Sequence, residues 1–231
     1  MAVITISRQF GSGGDEIADR VCQSLGYRHF DKRLIARAAA EAGFSEQQDL
    51  DFSEENYQVK NFMERLFSRS RPVAHVRLWK ESTTGVRVAE EMQLTEEHAL
   101  ALVQKAVEVA YQNGNVVIVG RGGQILLKKY PDVLHVRIEA PMEDRIQREK
   151  LQLKLEKQMP LDTIETRRVA QDLIEQRDAA SADYLKHFYG IDWSDPLHYH
   201  LVINSSKLSP DLAAQVIVNL VHCLENSRQA V

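Results

Sequence analysis

"VITISRQFGSGGDEIADRVCQSL", residues 3 to 25, is the stretch whose reading decides the fold. Val3-Ile4-Thr5-Ile6 is a β-branched run of strand composition, and Ile17, Val21 and Leu25 share one stripe of a helix. Between them lies a loop carrying Gly11, Ser12, Gly13 and Gly14. Strand, glycine loop and helix together make an anion-gripping layout. Glycines let backbone N–H groups approach a phosphate closely, and the helix N-terminus adds partial positive charge, so no cationic side chain is required.

Against the phosphate-loop pattern G-x-x-x-x-G-K-[ST], Arg8 falls at the first glycine and Gly13 at the second. Gly14 takes the place of the lysine, and Asp15 that of the hydroxyl that helps hold magnesium. The residues of this nucleotide-binding set are therefore Arg8, Gly11, Ser12, Gly13, Gly14, Asp15 and Glu16. Phosphate would be held by backbone N–H groups and Arg8. Asp15 opposes that grip by roughly 1 to 4 kcal/mol at a few ångströms and high effective dielectric. The competing readings are a glycine turn that only packs strand against helix, and an Asp15 that caps the helix.

Working outward, the apolar runs Val3 to Ser7, Asn115 to Gly120, Asp132 to Ala140 and His200 to Ser205 read as strands buried on both faces, with Tyr27 to Asp31 a fifth. Thr95 to Asn113 and Leu212 to Leu224 read as amphipathic helices. The alternation predicts an α/β fold, a doubly wound parallel sheet of about five strands flanked by helices. No linker divides the 231 residues, which read as one domain. Residues 45 to 94 stand apart as a variable insertion, with a helix suggested by Phe62, Met63, Leu66 and Phe67 and then a basic stretch including Arg77, Lys80 and Arg87. Residues 141 to 188 read as two long charged helices broken near Met159-Pro160.

The net charge of -4 argues against a generic nucleic-acid binder. Two cysteines, Cys22 and Cys223, fit a reducing compartment and read as small core hydrophobes. No stretch approaches about 18 apolar residues and no signal peptide is read, so a soluble cytoplasmic protein without membrane attachment is expected. His198 and His200 with Asp192 and Asp195 lack a third ligand of convincing spacing, and no metal set is assigned to the side chains. Trp193 and Tyr199 are expected to pack the turn before the last strand. Arg121, in "GRGG" at 120 to 123, ends the most apolar strand, and strand carboxyl ends form the ligand crevice of open α/β sheets.

Four stretches together resemble the cytidylate kinase-like family, divergent P-loop nucleoside monophosphate kinases: "ITISRQFGSGGDEIA" (4 to 18), "FDKRLIARAA" (30 to 39), "VVIVGRGGQILLKKYPDVLHVRIEAPMEDRIQRE" (116 to 149) and "GIDWSDPLHYHLVINSSKLSPDLAAQVI" (190 to 217). The resemblance implies a P-loop kinase-type sheet, with residues 45 to 94 on the monophosphate-binding side and 141 to 188 as a helical lid. It implies ATP and Mg2+ as cofactors and a small-molecule nucleotide as partner. By the same resemblance Asp31 and Lys32 open the acceptor-binding region, Arg37 and Arg121 hold the acceptor phosphate, and Arg177 and Asp178 sit near the lid's Arg-Asp pair, with Arg121, Arg177 and Asp178 forming the catalytic set. Arg145, Arg148, Arg167 and Arg168 are further lid candidates, most of them expected to be ordinary surface charges.

Three departures from the family pattern bear on activity. Asp15 stands where relatives commonly carry arginine, Gly122 where cytidylate kinases read cytosine with aspartate, and Ala180 and Ser181 where relatives carry basic residues. The leading expectation is an ATP-dependent kinase acting on a nucleoside monophosphate or a similar small phosphorylated acceptor. The alternative is a catalytically weak or inactive nucleotide-binding relative that regulates a partner.

Overall fold

The computed structural model describes residues 2–30, 74–81, 87–94, 96–161 and 163–229. Strand β1 (Val3–Arg8) leads through the glycine loop into helix α1 (Gly14–Leu25) and the short strand β2 (Arg28–His29). A hairpin of β3 (Ala74–Glu81) and β4 (Arg87–Leu94) precedes α2 (Glu96–Asn113), β5 (Val116–Val119) and the one-turn α3 (Gly123–Leu126). Then come β6 (Val133–Glu139), α4 (Met142–Lys157), α5 (Ile164–Tyr189), a 3-10 turn at Pro196–His198, β7 (Leu201–Asn204) and α6 (Pro210–Gln229).

The main sheet has the order β2-β5-β1-β6-β7, and every pairing in it is parallel. The expected strands are all present, although Tyr27 to Asp31 contributes only the two residues of β2 among those described. Alternate residues of β1 serve opposite faces, as the period of two requires. Ile4 and Ile6 join Ile17, Ala18 and Val21 of α1 and Ala213, Ile217 and Val221 of α6 in one core. Val3 joins Val116 and Ile118 with Val103, Ala106, Val107 and Ala110 of α2 in the other. Both faces are thus covered, which explains why the strands read as nearly unbroken apolar runs. A smaller core of Ile146, Leu153, Ala170 and Ile174 joins α4 to α5, with the break between them near Met159-Pro160 as expected.

One stretch without a predicted element proves to be a pair of strands, and one expectation needs correction. The basic stretch around Arg77, Lys80 and Arg87 forms an antiparallel ribbon with Arg77 registered against Glu91 and Glu81 against Arg87. Its high charge obscured the strand period. Cys223 is exposed and is not a core residue. Cys22 does pack partly against the core, and burial with the nearby charge of Asp19 pushes its thiol up to about 11, away from reactivity. The helix suggested at Phe62 to Phe67 lies outside the described residues.

Below the glycine loop, β1 and β6 share a buried polar contact. Thr5 Oγ1 lies 2.7 Å from Nδ1 of His135, which is stacked on His200 at 5.0 Å. The His135 N–H donates to His200 Nδ1 at 2.9 Å. Burial, with the His200 charge adding to it, pushes His135 down to about 4. Between pH 6.5 and about 4 the unfolded chain therefore binds a proton that the folded chain does not. Stability rises with pH across this window and is lost as pH falls through it, by at most ~1.4 kcal/mol per pH unit from this group. Melting temperatures of the parent and His135→Gln across pH 4 to 7 check this: the variant's profile should be the flatter, and parallel profiles would contradict it.

Candidate phosphate-binding site

Chain connections from β1 run toward β2 and those from β6 toward β7, so the topological switch falls between the adjacent strands β1 and β6, at their carboxyl ends. This is the ligand crevice of an open α/β sheet, and the glycine loop lies in it. The 120 to 123 loop leaves the same end of β5, the neighbour of β1 on the other side, with Gly120 N–H donating to Ile6 O at 2.9 Å. The two loops singled out in the sequence therefore open at one end of the sheet.

The glycine loop is pinned by its own carbonyls and by groups remote in sequence. Gln9 N–H donates to Ile138 O, Ala140 N–H to Gln9 Oε1, and Ser12 N–H to Gln9 O. Phe10 N–H donates to the Asp178 carboxylate at 2.8 Å, while Arg145 donates to Phe10 O at 3.2 Å and to Asp178 at 2.5 Å. Arg148 donates to Gly11 O and to Ser205 O, and the Ser205 hydroxyl donates to Ser12 O at 2.5 Å. The carbonyls are thus engaged around the outside of the loop.

The amides behave differently. Among the described residues no acceptor takes the N–H of Gly11, Gly13 or Gly14, and the first-turn N–H groups of Asp15 and Glu16 have no partner within the helix. Ser12 Oγ, completely buried, also has no partner among the described residues. The cap of α1 is Gly13, in the left-handed region at φ 78, with no side chain accepting from the helix. Asp15 therefore does not cap α1. Its carboxylate lies 3.2 Å from the Arg8 guanidinium, and Glu16 pairs with Arg20 at 2.6 Å, outside the loop. A cluster of unengaged N–H donors at a helix N-terminus is an anion nest.

Arg121, in the left-handed region at φ 60 and buried, has its guanidinium 5.8 Å over the Phe30 ring. A non-glycine residue held there is strained, a condition that clusters at functional sites. Beside it Gly122 is also left-handed, and a Cβ added there would meet the Tyr189 ring at 2.8 Å. The end of α5 thus fills the place of any side chain at 122. Arg177 lies 5.6 Å over the Phe10 ring. Arg167 and Arg168 form exposed pairs with Glu143 and Asp172, as expected of surface charges. Asp31, Lys32 and Arg37 lie outside the described residues. Arg145, Arg148 and Ser205 brace the loop in a way sequence reasoning missed, because helical spacing alone makes both arginines look like surface charges. No group of three or more potential metal ligands occurs among the described residues, and none of their helices is long and apolar enough to cross a membrane.

A parallel doubly wound sheet with an anion nest at its switch point defines a phosphate-binding α/β protein. Residues 3–207 match the model of the cytidylate kinase-like family, and the chain belongs to that family. No curated protein matches it. The crystal structure of an uncharacterized protein from Eubacterium ventriosum ATCC 27560 aligns with a TM-score of 0.59 at 14% identity, covering 96% of this chain and 99% of that one. Shikimate kinase from Acinetobacter baumannii, in complex with shikimate, aligns at 0.45 and 14% identity, over 96% of this chain and 94% of its own. Shikimate kinase from Bacteroides thetaiotaomicron aligns at 0.46 and 12%, over 96% and 98%.

Proposed function

We propose that the protein is an ATP-dependent phosphotransferase that moves a phosphoryl group to a nucleoside monophosphate or a similar small phosphorylated acceptor. The observation that carries this reading is the nest itself: N–H groups of Gly11, Gly13 and Gly14 without acceptors among the described residues, around a buried Ser12 hydroxyl that also lacks one. These donors would hold the donor phosphates, with Arg8 and Arg177 close to the loop. Asp178 acts by positioning Phe10. Arg121 would take the acceptor phosphate together with Arg37, and Asp31 and Lys32 would open that side. A phosphate acceptor is already a competent nucleophile, so positioning and charge neutralisation suffice without a general base.

Magnesium would supply neutralisation of the donor phosphates. It usually keeps several waters and takes one or two carboxylates plus phosphate oxygens, and the exposed Asp15 carboxylate, at the position of the hydroxyl ligand, suits that donor set. Residues 141 to 188 would serve as the lid and 45 to 94 as the acceptor-side insertion of a single domain, acting in the cytoplasm.

Replacing Arg121 with alanine should weaken monophosphate binding roughly tenfold to a hundredfold, the equivalent of about 1.5 to 3 kcal/mol for a charge-assisted bond. Calorimetry with CMP, dCMP, UMP and AMP checks this, and unchanged affinity for every monophosphate the parent binds would remove Arg121 from the site. Phosphate transfer from ATP to the same four acceptors tests the function. A second reading, a weakly active nucleotide-binding regulator, is favoured by the Arg8–Asp15 pair and by the buried Ser181 where relatives carry basic residues. ATP binding without transfer to any acceptor would select it.

A further inference from the structure

The phosphate-loop pattern places glycine at position 8 and lysine at position 14, and this chain has arginine at 8 and glycine at 14. The packing explains the reversal. A Cβ added to Gly14 would lie 2.6 Å from Arg8 Cβ and 2.8 Å from Arg8 Cγ. Those atoms sit at the root of the Arg8 side chain, fixed to the end of β1, and cannot swing aside as the tip of a flexible chain could. With arginine at 8, no side chain fits at 14. From there the Arg8 side chain crosses the first turn of α1, where its guanidinium meets Asp15 at 3.2 Å. The unpartnered, fully buried Ser12 Oγ is 3.5 Å from the same Gly14 Cβ position, so the root of Arg8 and the Ser12 hydroxyl both border Gly14 in the loop whose N–H groups are open.

We propose that the loop's cation has been transferred from helix position 14 to strand position 8: Arg8 is the residue that neutralises bound donor phosphate, Gly14 is the space its side chain requires, and Asp15 is the counter-ion it leaves when phosphate arrives. This deepens the reading of the loop as a donor-phosphate site and rests on it. Arginine suits the task because the planar N–H fork that pairs with the Asp15 carboxylate can, once released, hold two phosphate oxygens in the same bidentate way. The lysine of the usual pattern is therefore relocated.

The test is a reciprocal exchange in the full chain, with inorganic tripolyphosphate and ATP as probes, read by calorimetry alongside melting curves. Arg8→Gln keeps the Cβ and Cγ atoms that pack on Gly14 and removes only the charge. It should bind tripolyphosphate at least tenfold more weakly than the parent, with a shallower dependence on salt. Gly14→Lys alone should bind weakly and melt lower. The pair Arg8→Gly with Gly14→Lys restores the usual arrangement, with space at 8 and charge at 14. It should recover affinity to within about threefold of the parent. Parent-like binding by Arg8→Gln overturns the proposal whatever the other variants do, and so does an exchange variant that melts like the parent yet binds no better than Arg8→Gln. A parent that binds neither probe would instead defeat the phosphate-loop reading itself.

Discussion

Asp178→Ala is expected to destabilise the protein by about 3 to 5 kcal/mol and to abolish measurable tripolyphosphate binding at the same time. Asp178 pairs with Arg145, whose side chain is 6% exposed, and it also accepts from Phe10 N–H. Removing one member of a buried pair leaves an uncompensated charge, which costs far more than the pair's net contribution. Here the loss has a second consequence. Arg145 also holds Phe10 O, and a Cβ on Gly11 would lie 3.2 Å from Arg145 Cβ, so α4 is in close contact with the loop. An Arg145 seeking a new partner therefore moves the amides of the nest. Asp178→Asn, which can still accept from Phe10 N–H, should keep more of the binding than of the stability. Urea denaturation and tripolyphosphate titration of both variants check this. An alanine variant of unchanged stability and affinity would show that the loop holds its shape without α5.

Trp193→Ala should cost a further class of about 3 to 5 kcal/mol, the range for truncating a buried aromatic. Trp193 is 6% exposed, its indole N–H donates to Ser7 Oγ at 2.8 Å, and the Arg137 guanidinium lies 4.4 Å over its ring. Arg137, on β6 and 2% exposed, also donates to Trp193 O at 2.7 Å and to Glu139 at 2.5 Å. The alanine variant loses the ring that covers a buried cation, in addition to the cavity it creates. Trp193→Phe keeps a ring over Arg137 but gives up the bond to Ser7, so it should recover most of the stability and leave roughly 1 kcal/mol unrecovered. Thermal and urea unfolding of the two variants separate the contributions. Equal losses in both would place the whole effect in the indole N–H.

The contacts at Trp193 are the packing role expected for that residue and Tyr199, whose hydroxyl donates to Trp193 O at 3.0 Å. That role was legible because an aromatic pair immediately before a buried strand has one economical use. Asp31, Lys32 and Arg37 lie outside the described residues, so they stay proposals alongside Arg121.

What the sequence by itself determined is local. The β-branched run at Val3 to Ile6 and the stripe of Ile17, Val21 and Leu25 specify a strand and a helix through periods of two and 3.6 residues, and the glycines between them require an open loop. Three further apolar runs of strand length, alternating with amphipathic helices, leave a doubly wound sheet as the arrangement that buries every face. Tertiary structure decided the character of the site, because the deciding contacts join residues far apart in the chain. Asp178 meets Phe10 across 168 positions and Ser205 meets Ser12 across 193. No periodicity encodes either contact: on charged helices the i, i+4 rule accounts for Arg145 and Arg148 equally well as surface residues. Tyr189 against Gly122, and Arg8 against Gly14, are likewise matters of excluded volume. A sequence shows that a side chain is missing at 14 and at 122, but only the folded chain shows which other side chain has taken the space.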